Sequence, residues 1–385
     1  MVKLLRRNVA FVYFSFLVTG LTSTAPQRLF ATAAAESAQA WVAGTLLVGT
    51  FASIAGVALA ERFGLTRWPA LLSSALILVM TAGLIGSFGA ESFLVAAALQ
   101  VLVRFMANYA KQEFDHRAVT IAGHAERVAN DRVAVMMRFI GMLLGPLWFG
   151  AFNPGSPVML VSISVLMTMS LVSAGGLRDM PAREDAGRAE SKSLNPIERL
   201  FSAVAIGVYA TFYLLASNIV YMLDAYVGSA NSSAMAGILI TIVYGAAMLT
   251  SIIALRWKRQ DMRLMWIVPA PVLMVVAAIT FSARLASLPL LISGAAALGL
   301  GFAWYLLAVR NQVTMPGRGQ DKRWLAFFNN LANTSALVAF SLMAVLVAAS
   351  HVLGWSYAVL FPIGLAGLSL LTIAGAAVCG RTRWS

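Results

Sequence analysis

The chain has little of what soluble chemistry uses. Of its 385 residues only 11% are charged, and cysteine occurs once, at Cys379. A soluble domain carries about 25% charged residues. A single cysteine excludes an internal disulfide and any cysteine-built metal cluster. The three histidines, His116, His124 and His351, leave no metal-ligand spacing. Acidic residues number 15, most of them between apolar runs. No phosphate loop and no catalytic-triad pattern occurs, so an enzymatic reaction is not expected, and no cofactor or metal is expected either.

What the chain does have is apolar length. Hydrophobic residues make up 60% of it, and the mean hydropathy is +0.82. Runs of about 20 apolar residues recur, each long enough to cross a bilayer as a helix. A helix satisfies its own backbone hydrogen bonds, which hydrocarbon demands. The runs do not alternate polar and apolar, which argues against a β-barrel. The net charge of +13 would suit nucleic acid at first sight. Basic residues of membrane proteins collect in cytoplasmic loops, however, and that accounts for it without a nucleic-acid partner.

One hydrophilic stretch, 177–199, organises the rest. It carries five basic and five acidic residues and divides the chain into two apolar parts of similar length. We expect an N-terminal six-helix bundle over 1–176, a cytoplasmic linker over 177–199 and a C-terminal six-helix bundle over 200–385. Spans 1 to 6 are expected at 9–30, 38–60, 68–88, 92–116, 133–152 and 157–176. Spans 7 to 12 are expected at 200–226, 233–255, 264–281, 288–310, 324–349 and 355–380. With both termini inside, every basic residue except Arg28, Arg104 and Arg284 falls on the inner side, as the positive-inside rule requires. The alanine-rich segment 31–35 after a basic start resembles a signal-peptidase site, and cleavage there would leave eleven spans. The first run is longer than a usual signal core, which favours twelve.

The turn expected after span 2 reads LAERFGLTR over 59–67. It resembles the Gly-x-Leu-Ala-Asp-Arg-x-Gly-Arg motif of the major facilitator superfamily. Leu59, Ala60, Glu61, Arg62 and Gly64 match. Glu61 stands for the aspartate, Val57 for the first glycine and Leu65 for the last arginine. Gly64 gives a short turn its backbone freedom. Glu61 and Arg62 can pair with neighbouring helix ends as a gate; an ordinary charged cytoplasmic turn would look similar.

Span 4 carries Gln100, Arg104, Asn108, Lys111 and Asp115 on one helical face. Such a face must meet a water-filled cavity or another helix, because a charge at mid-bilayer is costly. The resemblance extends here, since many drug-type exporters of the superfamily hold an arginine in mid-span 4. The usual Gln-Gly after it is absent. Arg104 is thus a substrate contact, a member of a proton relay, or a structural bond to backbone carbonyls.

Span 5 reads GMLLGPLWFG, with Gly141, Gly145, Pro146 and Gly150. This resembles the Gly-Pro motif of the superfamily's antiporters, with one extra residue before the last glycine. Small residues four apart also let helices pack closely, and Pro146 removes one hydrogen bond. Span 7 carries Tyr209, Tyr213, Ser217, Tyr221 and Asp224 on one face, with Asn218 adjacent. Spans 10 and 11 add Trp304, Tyr305, Asn329, Asn330, Asn333 and Thr334, and span 1 adds Thr19, Ser23 and Gln27. Each stripe serves helix packing or ligand contact. In the family's arrangement spans 1, 4, 7 and 10 line the centre.

The expected fold is an all-α membrane protein of the major-facilitator type, with 12 transmembrane helices in two bundles. The resemblance implies a secondary transporter of the inner membrane that works by alternating access. Export of a small amphipathic organic compound, such as a drug or a carboxylate-bearing metallophore, in exchange for protons is the first expectation. Uptake of an organic anion or nutrient is the alternative, and a non-transporting membrane sensor a second. Expected substrate contacts are Gln27, Gln100, Arg104, Asn108, Tyr213, Ser217, Tyr305 and Asn330. Asp115 and Asp224 are the expected proton sites, and Glu61, Arg62, Gly64, Gly145 and Pro146 the gate. The expected partners are a small-molecule substrate and the lipid bilayer, with the chain acting as a monomer.

Overall fold

Prolines and glycines mark some of the helix ends: Pro196 and Pro269 open two helices, and Gly354 follows the end of another. The structure is a computed structural model. It describes residues 39–63, nine positions from 97 to 112, and 132–144, 196–227, 229–256, 269–282, 287–314, 322–355 and 357–381. Helix α1 is Gln39–Phe63 and α2 is Pro196–Val227. Helices α3, Ser229–Arg256, and α4, Pro269–Ser282, follow. Helices α5, Leu288–Thr314, α6, Lys322–Leu353, and α7, Tyr357–Arg381, complete the set. Between 97 and 144 the described positions are also helical.

These helices fall on expected spans 2 and 7 to 12, and the shorter helical segments fall in spans 4 and 5. Spans 1, 3 and 6 lie outside the described residues. Helix α1 runs three residues past the expected end, so Glu61 and Arg62 sit in its last turn. No proline or glycine occurs between Gly56 and Gly64 to end the helix sooner. Helix α2 starts inside the expected linker because Pro196 supplies a helical φ and needs no N–H at the first position. Gly354, at φ +66°, makes the turn between α6 and α7, a conformation that favours glycine.

Among the described residues five helices are long and apolar enough to cross a membrane, through windows Ala43–Ala60, Ser202–Ile219, Met235–Leu255, Leu288–Arg310 and Asn329–Leu353. Two shorter apolar helical stretches are Pro269–Phe281 and Val359–Gly375. Large apolar side chains stand exposed along them, among them Phe51, Ile253, Ile279, Val345 and Leu371. In water such a surface would be a liability; against lipid it is the expected outer face. Hydroxyls inside the helices turn back on their own backbone. Thr211 donates to Gly207 O at 2.9 Å, Ser251 to Ala247 O at 3.1 Å and Ser335 to Leu331 O at 2.6 Å. That spares these buried hydroxyls an unpaired donor.

The chain divides into two compact units. The first is Met1–Ala33, Val48–Glu190 and Arg310–Asn330; the second is Ala34–Leu47, Ser191–Val309 and Leu331–Ser385. In the second unit α2 packs on α3, α4 and α7, and α7 packs on α4. The approach of α2 to α7 is close. A Cβ at Gly207 would run into Thr372, whose hydroxyl donates to Leu368 O at 2.7 Å. Small residues let membrane helices approach in this way.

Candidate functional site

In the first unit the site is built around Arg104. The residue is 8% exposed and meets α1 side-on. Its Nη1 donates to Thr50 Oγ1 at 3.3 Å. Its aliphatic stem passes over Gly49, where an added Cβ would stand 2.7 Å from Arg104 Cδ. One turn on, Asn108 Nδ2 donates to Arg104 O at 2.9 Å and is half-buried. On α1, Ser53 donates to Gly49 O at 2.9 Å. At Arg104 the span-4 polar face therefore meets α1, through the Thr50 hydroxyl.

Next on that face comes Gln112, 3% exposed, whose Oε1 accepts from Asn329 Nδ2. Asn329 is itself 5% exposed. The two residues are 217 positions apart and belong to the same unit. Sequence reading chose Lys111 for this face and passed over Gln112. The signal was present: 104, 108 and 112 follow at steps of four. A buried donor or acceptor left without its partner costs about 1–3 kcal/mol. Gln112→Leu is therefore expected to lower the melting temperature, and Gln112→Leu with Asn329→Leu to recover part of the loss. Equal melting of Gln112→Leu and the parent would show that the bond contributes nothing. Asn330, beside Asn329, is half-buried, and its Oδ1 has no hydrogen-bond partner among the described residues.

In the second unit the expected span-7 face becomes an aromatic cluster. Phe212 stacks on Phe302 with centroids 3.9 Å apart. Tyr209 meets Tyr305 edge-on at 5.3 Å, and Tyr213 leans on Phe340 at 6.2 Å. Edge and offset-stacked pairs are the favoured arrangements of such rings. Tyr305 is fully buried, at 0% exposure, whereas Tyr213 and Ser217 are half-buried. Asn218, also fully buried, joins three helices. It donates to Leu214 O at 2.8 Å and to Met343 Sδ at 3.8 Å, and its Oδ1 accepts from Tyr357 Oη at 2.7 Å. Asn218 thus acts as polar glue within a helix bundle.

Gln27, Gln100, Lys111, Asp115, Gly64, Gly145 and Pro146 lie outside the described residues. For Glu61, Arg62 and Asp224 the described part is the helical backbone, in α1 and α2. Gly49 and Thr50 were missed by sequence reading because neither is polar enough to mark a face. Among the described residues no group of three or more His, Cys, Asp or Glu could hold a metal ion.

The fold is that of the major facilitator transporters. Two solved structures carry the likeness over nearly the whole chain. The crystal structure of the Escherichia coli fucose:proton symporter superposes with a TM-score of 0.66 at 10% identity, covering 97% of this chain and 98% of that one. The crystal structure of the human organic anion transporter superposes with a TM-score of 0.67 at 13% identity, covering 97% of this chain and 99% of that one. No family model matches the sequence, and no curated protein matches it.

Proposed function

We propose that the protein is a secondary transporter that moves a small amphipathic organic compound across the inner membrane by alternating access. The observation that carries this reading is Arg104, a buried cation on a helix of a transporter-type fold. Intramembrane ionisable residues mark substrate and ion pathways. An anionic group on the cargo is the partner chemistry that Arg104 suits, since its guanidinium fork matches a carboxylate. The protein works as an exporter exchanging cargo for protons. The Gly-Pro pattern of Gly141, Gly145, Pro146 and Gly150 supports that direction. Asp224 and Asp115 are the proton sites, and Glu61, Arg62 and Gly64 with Gly145 and Pro146 form the gate. Both termini and the linker are cytoplasmic, as the distribution of basic residues supports. A second reading, uptake together with protons, is favoured by the likeness to a fucose:proton symporter.

The test uses everted vesicles acidified inside, with a pH dye in the lumen. The first probe is naphthalene-1-sulfonate, which stays ionised and does not ferry protons by itself; naphthalene-1-sulfonamide is its neutral partner. A wider panel of aromatic carboxylates and sulfonates follows. Export by exchange predicts that the anion enters the vesicle and the lumen turns less acidic faster than in vesicles without the protein. Proton loss driven only by cargo leaving the vesicle would favour uptake. No compound-dependent flux across the whole panel would overturn the transporter reading.

A further inference from the structure

We propose that Gly49 and Thr50 are positioning residues for Arg104, and so set how tightly an anionic group is received there; the second half rests on the reading of Arg104 as the anion contact. An arginine is long and has many rotamers, and it binds an anion well only when its fork is held in one orientation. Two neighbouring residues of α1 hold it in different ways. Gly49 provides room. The Arg104 stem occupies the place where any other residue would carry a Cβ, which would stand 2.7 Å from Cδ and 3.4 Å from Nε. Thr50 provides direction. Its hydroxyl accepts from Nη1 at 3.3 Å. Thr50 is neutral, so this bond orients the guanidinium without cancelling its charge. Ser53, the next hydroxyl along α1, donates to Gly49 O at 2.9 Å. Asn108 is likewise turned to Arg104 O.

The seat can be read without knowing the cargo. The purified full chain in lipid nanodiscs is treated with phenylglyoxal, which modifies arginine, and each site is followed by peptide mass. Arg132 and Arg138 are as buried as Arg104, at 7% and 6% exposure, and serve as internal controls. Gly49→Ala and Thr50→Val are each expected to speed modification of Arg104 about tenfold, the change implied by losing one hydrogen bond to a charged group. Thr50→Ser keeps the acceptor and is expected to hold the parent rate. An unchanged Arg104 rate in both Gly49→Ala and Thr50→Val would overturn the seat. So would Arg132 and Arg138 rising in step with Arg104, because the helix would then have loosened as a whole.

Flux of the sulfonate and the sulfonamide separates the two readings. Gly49→Ala should reduce the preference for the anion in the parent and have no further effect in an Arg104→Gln background. An equal loss in both backgrounds would make Gly49 a packing residue and overturn the proposal. If Arg104→Gln itself leaves the preference unchanged, the anion-contact reading fails while the labelling result on the seat still stands.

Discussion

Arg104→Ala is expected to lower flux of naphthalene-1-sulfonate about a hundredfold, the loss of two hydrogen bonds between charged groups. Flux of the neutral sulfonamide should change far less. The argument starts from cost. An arginine at mid-bilayer depth costs roughly 2.5–3.5 kcal/mol on an insertion scale. Thr50 meets one nitrogen of the fork at 3.3 Å, and a neutral hydroxyl leaves the guanidinium its charge. Arg104→Lys keeps the charge and loses the planar fork, so it should fall between alanine and the parent. Flux in reconstituted vesicles, with each variant at equal incorporation, makes the measurement. Equal losses for anion and neutral partner would sink the idea. Arg104 would then serve to join span 4 to α1 through Thr50.

Gly207→Leu is expected to destabilise the second unit strongly, by about 3 kcal/mol, the upper end for overpacking a well-filled interior. The place an added Cβ would take is held by Thr372. Thr372 has little freedom to move, because its hydroxyl is bonded to Leu368 O and β-branching restricts χ1. Helix α2 packs on three neighbours, so a shift there is felt by α3, α4 and α7. Melting followed by tryptophan fluorescence in detergent would show it. Gly207→Ala should show a smaller drop, and Thr372→Ala added to it should restore part of that drop. Melting of Gly207→Leu with the parent would show that α2 and α7 do not approach as described.

Much of the fold was legible because its signals are local. Helices α2 to α7 fall on runs read from hydropathy, and Pro196 and Pro269 mark two of their starts. The linker was read from charge, yet its last four residues belong to α2, since Pro196 begins a helix as readily in a polar segment as in an apolar one. The site was legible in part. Arg104 and Asn108 were found by helical spacing, and both engage partners. Gln112 was lost to its neighbour Lys111 because charge drew attention away from the step of four. Tyr305 was read as a substrate contact; the structure buries it beside Tyr209, a neighbour that spacing along one helix does not reveal.

By itself the sequence determined the apolar runs, the segments between them where basic residues gather and the presence of an arginine inside an apolar run. Those follow from composition and from the period of a helix, which need no partner to be read. Only the tertiary structure decided what each polar residue meets. It set Arg104 against Gly49 and Thr50, joined Gln112 to Asn329 across 217 positions and tied Asn218 to Met343 and Tyr357. The physical reason is that a buried donor is satisfied by whichever acceptor packing brings within reach, and glycine makes its contribution by the side chain it lacks.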